Sequence, residues 1–93
     1  MRRFKVLGIY QRHDGTEELS GDFSKSVEDS EGELSAVAQA GLMAAFTLDD
    51  PSGVSIVEKD RGRFEFSIEA AAAGLPGVCP LCGILQIWEE GAT

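Results

Sequence analysis

Ninety-three residues, 43% of them apolar and 26% charged, suffice for one small globular domain spanning 1–93 and are too few for two cores. The formal net charge is −8, with a sequence isoelectric point near 4.4. That balance argues against nucleic acid and anionic membrane surfaces as direct ligands, because both are gripped by Lys and Arg, and no apolar run is long enough to cross a bilayer.

Burial in so short a chain is modest, and the expected stability is about 5 kcal/mol unless a metal or partner adds to it. Arg2 and Arg3 ahead of Phe4–Tyr10 imitate a signal peptide only weakly, since no small-residue cleavage site follows. A cytoplasmic protein with reduced thiols is the expectation.

In chain order, Phe4–Arg12 predicts a strand whose Val6, Leu7, Ile9 and Tyr10 are apolar on both sides of the pleat. It is either covered on both faces or crosses the middle of a sheet. His13-Asp14-Gly15-Thr16 carries hairpin chemistry. In the next stretch Leu19, Gly21 and Phe23 share one side, with Glu18, Ser20, Asp22 and Ser24 on the other, predicting a second, solvent-facing strand.

Ser30 and Glu33 have the spacing of a capping box, with Glu31 and Glu33 placed to complement a helix dipole. Leu34, Val37, Ala38, Gly41, Leu42 and Ala45 then recur at helical spacing. They predict one amphipathic helix, with Gly41 and the alanines allowing close approach to a sheet. It should end near Phe46–Leu48, before Asp49-Asp50-Pro51-Ser52-Gly53.

Val54–Lys59 and Arg63–Glu69 predict a hairpin, with Phe64, Phe66 and Ile68 alternating against polar neighbours. Ala70–Ala73 predicts one helical turn, and Ile84–Trp88 a last strand. The fold class is α+β: an antiparallel sheet of about five strands with one helix on a face, in the order β-β-α-β-β-β.

Cys79-Pro80-Leu81-Cys82-Gly83 holds the only two cysteines, at a spacing that lets two thiolates share one ion or close as a disulfide. The five residues resemble the Cys-Pro-x-Cys-Gly knuckle of zinc ribbons. That resemblance implies a zinc half-site, completed by His13 with a carboxylate or by the same pair from a second copy, in a zinc-linked homodimer. Cys-Pro-Leu-Cys also resembles the redox pair of glutaredoxins, but β-formers follow where those proteins have a helix. Two small residues packing a turn is the third reading.

No nucleophile elbow, phosphate loop or spaced carboxylate pair is present, so the chain is expected not to be an enzyme. Trp88, the single tryptophan, is expected in or over the core; beside Tyr10 or Phe4 on the surface it would serve as an anchor.

The acidic stretch from Asp14 to Glu33 offers Asp14, Glu17, Glu18, Asp22, Glu28, Asp29 and Glu31 as a docking face for a basic partner, opposed by Lys25 alone. The corresponding function is a small acidic interaction module, an inhibitor or regulator that mimics nucleic acid at the basic surface of a nucleic-acid-binding protein. In size and charge the chain looks like the small inhibitors aimed at bacterial defence complexes, anti-CRISPR proteins among them. The alternative is a structural protein that depends on zinc at Cys79 and Cys82.

Overall fold

A computed structural model describes residues 1–13 and 18–91, His13 by its backbone alone. The elements are β1 (Arg2–His13), β2 (Glu18–Asp29), α1 (Leu34–Ala45), a 3-10 turn at Pro51–Gly53, β3 (Val54–Asp60), β4 (Arg63–Ile68) and β5 (Leu81–Glu89). The strands form one antiparallel sheet ordered β2-β1-β5-β4-β3, with α1 packed on one face. This is the α+β class and element order that the hydrophobic periodicity predicts. No helix among the described residues is long and apolar enough to cross a membrane.

The parity of each strand decides which side chains make the core. On β1 the even positions Phe4, Val6 and Gly8 are buried under α1, which supplies Val37, Ala38 and Leu42. Phe64, Phe66 and Ile68 of β4 and Leu81, Leu85 and Ile87 of β5 complete that layer. Tyr10, Phe23, Phe46 and Phe66 close one end of it, with the Tyr10 and Phe46 rings edge-to-face at 5.1 Å. Gly41 brings the helix down on the sheet: a Cβ there would stand 2.9 Å from Val6 Cγ1.

Three local expectations are corrected. The Ser30–Glu33 capping box does not form. Glu33 is itself the N-cap residue, without a side-chain cap hydrogen bond, and the first turn of α1 contains no acid. Asp29 acts in its place: its Oδ1 accepts from the backbone N–H groups of Glu31 at 2.8 Å and Gly32 at 3.0 Å. The chain makes an Asx turn at Asp29, and α1 starts after Glu33, three residues later than a cap at Ser30 would set it.

The second correction concerns Cys82, which is not in a knuckle. β5 begins at Leu81, and Cys82 is a strand residue opposite Gln11 and Ser67. Gly83 is a sheet position, not a turn position; a Cβ there would collide with the Ile9 carbonyl oxygen. The third correction is Trp88. It is 47% exposed, on the opposite face of the sheet from Phe4 and Tyr10.

Of the two options for β1, coverage on both faces is not met: the strand lies inside the sheet, between β2 and the central β5. Its odd side is not covered, and Ile9 is 61% exposed. The Asp14-Gly15 turn lies outside the described residues.

Candidate interaction face

With α1 on one side, the strand registers assemble a second, open face in rows. One row runs Asp22, Ile9, Ile84, Glu65, Val57 across all five strands; the next runs Ser24, Leu7, Gln86, Arg63. Lys5 and Trp88 are opposite each other one row further on, and on the other side Ser20, Gln11, Cys82, Ser67 and Ser55 share a row.

The apolar members of these rows lie unusually open. Leu7, Ile9, Val57 and Trp88 keep 37%, 61%, 58% and 47% of their surface in water, and Ile84 is half-buried. Scattered apolar side chains on a surface need no explanation, but a contiguous group on one sheet face does. Ile9 and Ile84 form a ridge between two shallow depressions of about 550 and 570 Å³. Leu7, Asp22, Gln86 and Arg63 line one, and Gln11, Val57, Glu65 and Cys82 line the other.

Charge on this face is mixed and nearer to balance than in the chain as a whole. Glu18, Asp22, Glu28, Glu65, Asp60 opposite Arg63 and Glu90 beside Lys5 share it with Arg3, Lys5, Lys59 and Arg63. Arg3 Nη2 pairs with Glu28 at 2.9 Å and Lys59 Nζ with Glu65 at 3.9 Å. Glu28, as the acceptor, holds the Arg3 guanidinium pKa above its ordinary value. Glu18 and Asp22, on the β2 margin, have no ion-pair partner among the described residues.

The structure therefore divides the predicted acidic set. Glu18, Asp22 and Glu28 come together on the open face. Asp29 is committed to the turn before α1, Glu31 stands in that turn, and Asp14 and Glu17 lie outside the described residues.

The cysteines sit at one end of the same face. Both are free, Cys82 exposed and Cys79 half-buried, and each sulfur lies within 4 Å of the Pro80 carbonyl oxygen, at 3.9 and 3.7 Å. Arg12 anchors the preceding segment from below: Nε donates to the Cys79 carbonyl at 3.0 Å and Nη2 to that of Pro76. The sulfur of Cys82 also contacts Ser67 Oγ at 3.8 Å. Among the described residues no third Cys, His, Asp or Glu joins them in a metal-binding group; the side chain of His13 lies outside that description.

Sequence reasoning missed Leu7, Ile9, Ile84, Val57 and Trp88 as surface residues. The available signal was the double-sided apolar pattern of β1 in a chain predicted to have only one helix, which cannot cover both faces of the sheet. No family model, curated protein or solved structure matches the chain.

Proposed function

We propose that the protein is a non-enzymatic protein-interaction module whose working surface is the open face of its sheet. The observation that carries this reading is the exposure of Leu7, Ile9 and Trp88 around the half-buried Ile84, with Val57 beyond Glu65, on a face that α1 leaves uncovered. A large aromatic and branched aliphatic side chains at the centre of a polar rim is the composition that concentrates binding energy at interfaces. Because charges of both signs share the face, affinity comes from the apolar centre while the charges set register.

Docking on a basic partner, as a nucleic-acid mimic would, is supported by a narrower observation. Glu18 and Asp22 form an acidic margin beside the apolar centre, without cationic partners among the described residues. A zinc-dependent role draws only on the shared approach of the two sulfurs to Pro80.

The test is capture from the native host with three baits: the parent chain, Ile9→Glu on the open face, and Ala44→Glu on the exposed side of α1. A partner held by the parent and by Ala44→Glu but lost with Ile9→Glu supports the reading. A partner retained equally by Ile9→Glu contradicts it.

A further inference from the structure

We infer that the open face pairs with the same face of a second copy, closing the single sheet into a two-sheet sandwich. This rests on the reading of that face as the docking surface and names its occupant. Three observations converge on it.

The first is area. Five strands about 4.8 Å apart, with β5 nine residues long, present a face of roughly 600–700 Å². Two such faces together bury about 1,200–1,400 Å², the lower part of the range for specific, stable interfaces.

The second is charge. A chain of net charge −8 would repel its copy through a wholly acidic face, yet this face sets Arg3, Lys5, Lys59 and Arg63 among its carboxylates and carries only a small part of the surplus. Most of the surplus acid lies elsewhere, at Glu31, Glu33, Asp49, Asp50 and Glu69, and would stay in solvent after pairing.

The third is arrangement. Asp22 marks one margin of the apolar centre and Arg63 the other, on β2 and β4, equidistant in strand count from the boundary between β1 and β5. A two-fold axis along that boundary lays β2 of each copy over β4 of the other. Asp22 of each then lies over Glu65 of the other, with Arg63 one row away and within reach of both carboxylates, at both ends of one isologous interface. Aligned sheets pack about 10 Å apart, and because this axis keeps each row level, Ile9 of each copy meets Ile84 of the other at the centre of the interface.

Sedimentation equilibrium of the full chain, with and without a metal chelator, tests this. The expected mass is twice that of one chain in both conditions. Ile9→Glu should weaken the pairing at least about a hundredfold while leaving the circular dichroism spectrum unchanged. Asp22→Arg or Arg63→Asp alone should weaken it about tenfold or more, and the double variant should recover most of the loss.

A single-chain mass at every concentration overturns the self-pairing. The docking reading then stands or falls separately on the Ile9→Glu capture comparison. A dimer that ignores Ile9→Glu, or that dissociates on chelation, also overturns it, and in the latter case assigns the contact to Cys79 and Cys82. Failure of the double variant to recover overturns the proposed axis.

Discussion

Ile9 of β1 and Ile84 of β5 stand opposite each other on the face that α1 leaves open, while the next pair in the register, Gly8 and Leu85, is buried beneath the helix. Adjacent residues of the same two strands therefore serve different purposes. One set holds the domain together, and the other faces outward with side chains a core would accept.

Stability should follow that parity. Leu85→Ala and Leu42→Ala remove fully buried side chains and should each cost about 2–5 kcal/mol. Ile9→Ala, at an exposed position, should cost less than about 1 kcal/mol in the separated chain. Urea midpoints at a concentration below that of any association would check the ranking, and equal losses at Leu85 and Ile9 would mean that the faces are assigned the wrong way round.

The start of α1 gives a second prediction. Asp29→Ala strips the acceptor from the N–H groups of Glu31 and Gly32 and should destabilise by about 1 kcal/mol. Ser30→Ala should be close to neutral, because Ser30 makes no cap to the helix. Thermal denaturation of the two variants distinguishes an Asx turn from a capping box.

The contrast at Asp29 shows what could be foreseen and what could not. Strict alternation at Phe64, Phe66 and Ile68 and the helical stripe through Leu42 identify a half-buried strand and a sheet-packing helix, since each pattern has one physical solution. The Ser30–Glu33 spacing admits two, and here the chain turns at Asp29 and α1 starts after Glu33, not after Ser30. Pro80 and Gly83 likewise suggest a turn by composition, whereas Gly83 is small because the Ile9 carbonyl lies against it. Trp88 was misplaced because its side depends on strand register, which only the pairing of Lys5 with Trp88 determines. The open face was legible in part: its apolar residues were plain, but their exposure was not.

A pH prediction follows from Arg2, which grips Glu89 through Nε at 2.9 Å and Nη2 at 2.8 Å. That paired hydrogen bonding holds the Glu89 carboxyl below its ordinary value. Its contribution to stability is therefore present above the unfolded carboxylate pKa of about 4.3 and is lost as pH falls through the lower folded value. The difference in Tm between the parent and Arg2→Gln should be constant near neutrality and shrink below about pH 4. A difference that persists unchanged to lower pH would show that the pair acts through packing, not charge.

The thiols should differ in reactivity. Cys82 is exposed and Cys79 half-buried, so a maleimide should label Cys82 first. Arg12→Met releases the Cys79 and Pro76 carbonyls and should bring the Cys79 rate towards that of Cys82. Mass spectrometry of partially labelled protein reads both rates. An unchanged Cys79 rate in Arg12→Met would show that the guanidinium does not hold that segment.

Trp88 reports on the central claim directly, because the only tryptophan lies on the open face with 47% of its surface in water. The measurement is its fluorescence and acrylamide quenching as the chain passes from dilute to concentrated solution, or as a captured partner is added. If the open face is the working surface, emission should move to shorter wavelength and quenching should fall on association, and neither change should occur with Ile9→Glu. Association that leaves the emission and quenching of Trp88 unaltered would contradict the account.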